Sequence, residues 1–228
     1  MTNHYSEKYA VIVAGGKGVR MNSALPKQFL PLHGKPVLYY PVRSFIAAFP
    51  DIHIILVLPH DQMSYAQMVL KEFPERINVT IVAGGATRYH SVQNGLKQVE
   101  GESIVFVHDG VRPLVSVDLI RRCYQQAVEL GSAIPAVQVA DSMRIIEDDD
   151  SRPLDRTFMR IIQTPQTFRS DIILPAFRQD YIPSFTDEAT VVENEGTTIF
   201  LIDGEYSNIK VTTPNDILIA EALLKART

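Results

Sequence analysis

The apolar run Tyr9-Ala10-Val11-Ile12-Val13 enters the glycine-rich loop AGGKG at residues 14–18, and this junction constrains the fold more than any other feature of the chain. Five consecutive apolar residues do not alternate with polar ones. The strand they form must be covered on both faces, as in a parallel sheet flanked by helices. The pattern then repeats along the chain. Val37 to Phe49 has helical spacing and stops before Pro50, and Ile52 to Leu58 is a second buried strand closed by Pro59. Asp61 to Phe73 predicts a helix, Val79 to Val82 a strand, Arg88 to Lys97 a helix and Ser103 to His108 a strand. Val117 to Leu130 predicts a helix with Gly131 as its stop signal. Strand and helix in strict alternation imply a single, doubly wound, mainly parallel α/β sheet.

After about residue 132 the rhythm changes. Two extended segments, 139–146 and 154–162, flank the polar run Glu147 to Pro153 and predict a β-arm over about 139–162. Its consecutive acids suit a solvated turn better than a metal site. Thr198 to Asp203 and Ile209 to Val211 predict short strands. Thr213-Pro214-Asn215-Asp216 supplies an N-cap, an N1 proline and an acidic first turn to a last helix. No repeat or low-complexity tract divides the chain, so one domain is expected over 1–228.

With 46% apolar and 21% charged residues among 228, the chain has the make-up of a globular protein rather than a disordered one. A net charge of −4 argues against nucleic-acid binding across the whole surface and leaves room for a local basic pocket. One cysteine, Cys123, permits no internal disulfide, and its amphipathic setting suits a buried thiol. The apolar run at the start is too short for a signal peptide, and nothing approaches the roughly 18 apolar residues of a membrane span. A cytoplasmic, soluble protein is expected.

The loop at 14–26 carries Lys17 and Arg20 and runs into Lys27. Three cations beside backbone N–H groups suit a polyphosphate. A dinucleotide fingerprint fails because Met21 stands where its third glycine belongs, and a Walker loop fails because Gly18 follows Lys17. These spacings exclude an oxidoreductase of the Rossmann kind. His108-Asp109-Gly110-Val111-Arg112-Pro113 ends a buried strand, on the edge where open α/β sheets bind ligands. Asp109 there could hold Mg²⁺ on phosphates or simply cap a turn. His108 suits a structural place better than that of a base. Gly84-Gly85, with Arg88 and Ser91, makes a second glycine turn before a helix, either a ligand contact or an ordinary connection.

Taken together, AGGKGVRM, LPKQF, GGATRYHSV, HDGVRP, TPQTF, TDEA and NIKVTTPNDI, in that order from about Tyr9 to Leu224, resemble the polyol-phosphate cytidylyltransferase family. The resemblance implies a Rossmann-like nucleotidyltransferase that joins CTP to a polyol phosphate, releases pyrophosphate and uses Mg²⁺ or another divalent cation held at Asp109. It implies catalytic roles for Arg20, Lys27 and Lys210. Ala14, Gly15, Gly16, Lys17, Gly18, Gly85, Arg88 and Ser91 would bind the nucleotide. Asp109, Arg112, Thr164 and Lys210 would bind the acceptor, with Ser142 and Arg156 reaching it from the arm of a partner subunit in a homodimer. The family often has an acid where this chain has Ala86, and commonly threonine where it has Ser142. Ser142-Met143 and the block Thr186 to Ala189 favour 2-C-methyl-D-erythritol 4-phosphate, in the non-mevalonate route to isoprenoid precursors, over ribitol 5-phosphate as acceptor. From another class, a non-catalytic nucleotide-binding regulator would not need Arg20, Lys27 and Lys210 together.

Overall fold

The computed structural model describes residues 5–15, 25–148 and 150–227. Its central sheet begins with β1 (Glu7–Val13), β4 (His53–Leu58), β5 (Val79–Ala83) and β6 (Ser103–Asp109), all parallel in the order β6-β1-β4-β5. Each of these strands puts alternate residues on opposite faces. Ala10, Ile12, Ile54, Leu56, Ile104 and Phe106 pack on one face against α1 (Tyr39–Ala48), α2 (Ala66–Leu70) and α4 (Val117–Leu130). Val11, Val13, Ile55, Val57, Val105 and Val107 pack on the other against α3 (Arg88–Leu96), α5 (Ser170–Ala176) and α6 (Glu188–Asn194). Two cores on two faces are the physical content of the unbroken apolar runs, and the doubly wound α/β fold is as expected.

Close approach of α3 to the sheet depends on Gly95. A Cβ there would come within 2.6 Å of Val11 Cγ1 and 2.9 Å of Val57 Cγ2. Helix α4 spans the expected residues, capped by the Ser116 side chain on the Leu119 N–H and closed by Gly131 at φ 93°, where a side chain would be strained.

The far side of the sheet is antiparallel in part. There, β7 (Ser132–Gln138) pairs with β10 (Arg160–Ile162), β11 (Gln166–Arg169) and β12 (Leu201–Asp203), and β11 also pairs antiparallel with β6. Ile162 faces Ala136 and Thr167 faces Ala133, so five steps on one chain span three on β7. The surplus residues around Thr164 are thrown out of the ladder, as in a bulge. A short ribbon of β2 (Pro31–Leu32) and β3 (Lys35–Pro36) follows the first loop, and α7 (Pro214–Lys225) ends the described chain. Its Thr213 N-cap, N1 proline and acidic first turn are as the sequence predicts, and Asp216 Oδ2 accepts from Thr213 N–H at 2.7 Å.

Three expected elements differ. The helix foreseen over 61–73 is a 3-10 segment, His60–Tyr65, followed by the short α2. Gln62 turns inward there, and its N–H bonds to Pro59 O in the tight 3-10 manner. The segment 209–211 forms no strand. Val211 N–H bonds to Val111 O, and Asn208 is tied into the site described below. Finally, 139–162 holds a shorter hairpin, β8 (Met143–Glu147) with β9 (Asp150–Leu154), so part of the charged run lies within a strand and Asp148 lies in the turn. No helix among the described residues is long and apolar enough to cross a membrane.

Candidate active site at the carboxyl edge of the sheet

Strands β6, β1, β4 and β5 end on one edge of the sheet, and the chain after β1, β5 and β6 bounds a cavity of about 360 Å³ lined by Ala14, Gly15, Lys27, Gly85, Arg88, Ser91, Asp109 and Lys210 among others. Backbone bonds fix its mouth: Ala14 N–H to Val57 O, Gly84 N–H to Leu58 O and Gly110 N–H to Val13 O, all 2.8–2.9 Å. Thr87 caps α3 by accepting from His90 N–H, and Ser91 Oγ accepts from Gly85 N–H at 3.1 Å while donating to Thr87 O at 2.9 Å. A Cβ on Gly85 would collide with His90, so the glycine is needed for this close turn.

Asp109 is the buried charge on the floor. Its carboxylate meets Lys210 Nζ at 2.9 Å, Arg88 Nη2 at 3.4 Å and Arg112 Nε at 3.5 Å. Burial alone would push this carboxyl up; Arg88, Lys210 and Arg112 outweigh it and hold the group well below the usual carboxylate range. Asp109 therefore stays ionised at any pH where the protein works. Lys27 Nζ donates to Val211 O at 3.3 Å from across the cavity. Arg88 is paired at both Nη atoms with the carboxylate of Glu188, a residue with almost no exposed surface.

Beneath Asp109 lies a closed polar chain. Asp109 N–H donates to Thr164 Oγ1 at 3.0 Å, and Thr164 Oγ1 meets His108 Nδ1 at 3.1 Å. His108 Nε2 donates to Arg112 O at 3.2 Å, Arg112 Nη1 to Asn208 O at 2.8 Å, and Asn208 Nδ2 to Thr164 O at 2.8 Å. His108 is thus structural, as expected, with burial pushing its imidazole down to about 4. Cys123 is also buried, its thiol pushed up to about 12 by burial.

Of the residues the sequence singles out, the fold brings Ala14, Gly15, Lys27, Gly85, Arg88, Ser91, Asp109 and Lys210 to one cavity, with Arg112 and Thr164 packed directly under it. Ser142 and Arg156 do not line it; Ser142 is exposed, and Arg156 donates to Ala140 O beside a separate shallow depression. Gly16, Lys17, Gly18 and Arg20 lie outside the described residues. No cluster of three or more His, Cys, Asp or Glu converges as a metal cage among the described residues. Among the described residues Asp109 alone offers a carboxylate to this cavity, which suits a cation that arrives bound to phosphates.

A family model described as 2-C-methyl-D-erythritol 4-phosphate cytidylyltransferase (IspD) fits residues 9–226. The chain belongs to this family. Its relatives include the enzyme of that name from Bacteroides fragilis, 45% identical over 94% of this chain and 98% of the relative. The Bacteroides thetaiotaomicron enzyme is 44% identical over the same shares. Among solved structures, 4-diphosphocytidyl-2C-methyl-D-erythritol synthase from Anaerococcus prevotii superposes with a TM-score of 0.81 at 29% identity, covering 96% of each chain. The cytidylyltransferase of Thermus thermophilus gives 0.73 at 28% identity, covering 94% of this chain and 98% of that one. Members of this family are nucleotidyltransferases, and this chain is an enzyme of that class.

Sequence reasoning left Glu188 without a role, although TDEA was among the quoted blocks. The signal was an acid directly beside Ala189 and close to Val191 and Val192, where a buried charge must have a partner.

Proposed function

We infer that the chain catalyses the family's reaction: CTP plus 2-C-methyl-D-erythritol 4-phosphate gives 4-diphosphocytidyl-2-C-methyl-D-erythritol and pyrophosphate, a step toward isoprenoid precursors. The observation that carries this reading is the cavity at the carboxyl edge of the sheet where Arg88 and Lys210 pair with one ionised carboxylate, Asp109, and Lys27 lines the same space. Counted with the residues packed beneath it, four cations (Lys27, Arg88, Arg112 and Lys210) stand against two acids, Asp109 and Glu188, which leaves an excess of positive charge for phosphates.

Charge in such a transfer spreads over the phosphoryl oxygens, so the protein works by positioning and electrostatics. The acceptor's phosphate oxygen attacks the α-phosphorus of CTP, and pyrophosphate leaves from the opposite side. Lys27 and Arg20 hold the α-phosphate and the departing group; the 14–18 backbone and Lys17 cradle the triphosphate. Ala14, Gly15, Gly85, Arg88 and Ser91 seat the base and ribose. Lys210 steers the attacking phosphate, and Arg112 and Thr164 complete the acceptor side. Asp109 would hold a divalent cation such as Mg²⁺, directly or through water; when bound, that ion neutralises charge on the phosphate oxygens. The chain works as one nucleotidyltransferase domain in the cytoplasm, as a homodimer in which Ser142 and Arg156 of each arm serve the partner's acceptor pocket.

The test is pyrophosphate release from CTP with either acceptor. Methylerythritol phosphate should be used at least about tenfold better than ribitol 5-phosphate, because a misfit leaves buried polar groups unpaired. Equal or better use of ribitol 5-phosphate would overturn the choice of acceptor.

A further inference from the structure

Glu188 contributes nothing to the cavity wall, yet it grips a residue that does. Its two oxygens accept from two different nitrogens of Arg88, Nη1 on Oε1 and Nη2 on Oε2 at 3.0 Å. A carboxyl that accepts at both oxygens in this parallel fork is ionised, since a proton on either would oppose an N–H. Its place is fixed from β11. Gln166 Nε2 donates to Asp187 Oδ2 at 2.8 Å, and Gln166 Oε1 accepts from Ala189 N–H at 2.8 Å, which staples the first turn of α6 beneath the cavity.

Arg88 therefore lies between two carboxylates that hold it unequally: a two-point contact with Glu188, and a single contact of 3.4 Å with Asp109 Oδ1. Asp109 Oδ2 is left to Lys210 at 2.9 Å and to Arg112 at 3.5 Å. Without the charge on Glu188, the guanidinium would be drawn to Asp109, the carboxylate it already touches. A planar fork takes both oxygens of a carboxylate where an ammonium takes one. Lys210 would then lose its partner. We propose that Glu188 is a positioning residue: by holding Arg88 it reserves the second oxygen of Asp109 for Lys210, and so orders the acceptor side of a site that it never touches. This rests on the assignment of Lys210 and Asp109 to the acceptor side made above.

The test compares wild type, Glu188→Gln and the double variant Arg88→Met/Glu188→Gln in steady-state kinetics with CTP and methylerythritol phosphate. Wild type comes first: no turnover there would sink the functional reading itself, before any variant is compared. Given turnover, Glu188→Gln should raise KM for the acceptor about tenfold or more, although among the described residues the hydrogen bonds of the Glu188 carboxylate go to Arg88 and not to the acceptor-side groups. Removing the misdirected guanidinium in the double variant should return the acceptor KM to within about threefold of wild type, while KM for CTP stays raised. A purely structural role would make the double variant no better than the single. An unchanged acceptor KM in Glu188→Gln, or no rescue in the double variant, overturns the proposal. If Glu188→Gln does not fold, the double variant decides alone by the same acceptor criterion. If neither folds, the pair serves folding rather than the site, and the proposal fails.

Discussion

His108 shows how a buried residue can set the state of its neighbours without touching substrate. Its Nε2–H is committed to the Arg112 carbonyl, so Nδ1 is bare and accepts the Thr164 hydroxyl; that hydroxyl's lone pair is then free for Asp109 N–H. Burial lowers the imidazole from 6.5 to about 4. The unfolded chain thus binds more protons between these values, and stability must fall as pH drops through that window. The expected loss between pH 7 and 4.5 is about 2 kcal/mol; Asp109 acts in the same direction only below its ordinary carboxylate value. Urea unfolding at the two pH values should show this loss in wild type and a much smaller one in His108→Gln; parallel losses would refute it. Lys27 carries a different expectation. Lys27→Ala should lower kcat by about 10²–10³-fold with folding intact, because it deletes a preorganised cation rather than packing; normal turnover at saturating CTP would contradict its role. At this scale the sequence was most legible where residues sit at or just past the ends of buried strands, as Asp109 and Gly85 do. It was least so for Glu188, whose partner is 100 positions away, since local pattern carries no sign of so distant a pairing.

Among the elements, the central strands were readable because complete burial erases alternation, and α4 because its apolar spacing ends at Gly131, a local stop signal. The region beyond residue 132 was harder. A bulge that throws Thr164 out of the ladder and a strand pair that begins inside a charged run both depend on register, which apolar periodicity does not carry. Gly95 gives the element scale its own prediction. Since a methyl group there would enter the space of Val11 and Val57, Gly95→Ala should cost about 1–3 kcal/mol by overpacking, despite alanine's better helix propensity. Denaturant midpoints measure it; a variant as stable as wild type would mean that α3 does not need this close approach.

For the whole molecule, the β8–β9 hairpin and the turn after it leave apolar side chains uncovered, with Phe158 85% and Ile146 75% exposed. An isolated two-stranded ribbon is marginal in water, and a two-fold pairing of arms would cover these groups with one self-complementary surface. Subunit mixing tests whether the arms also complete each other's sites. Lys27→Ala and Arg156→Ala chains, each nearly inactive alone, are combined in equal amounts and allowed to exchange. About half the dimers become mixed, each with one intact site of two, so roughly a quarter of wild-type activity should return. No recovery after demonstrated exchange would place Arg156 outside the partner's site.

Cytidylyl transfer itself is tested most directly by following ³¹P NMR of the wild-type chain with CTP, methylerythritol phosphate and Mg²⁺. Attack of the acceptor's phosphate on the α-phosphorus requires both phosphate signals to be replaced by a coupled diphosphate pair, with one pyrophosphate released per pair formed. The expected result is that one-to-one appearance, abolished when the acceptor is left out. Inorganic phosphate in place of pyrophosphate, CTP consumed at the same rate without acceptor, or both substrates left unchanged would contradict it.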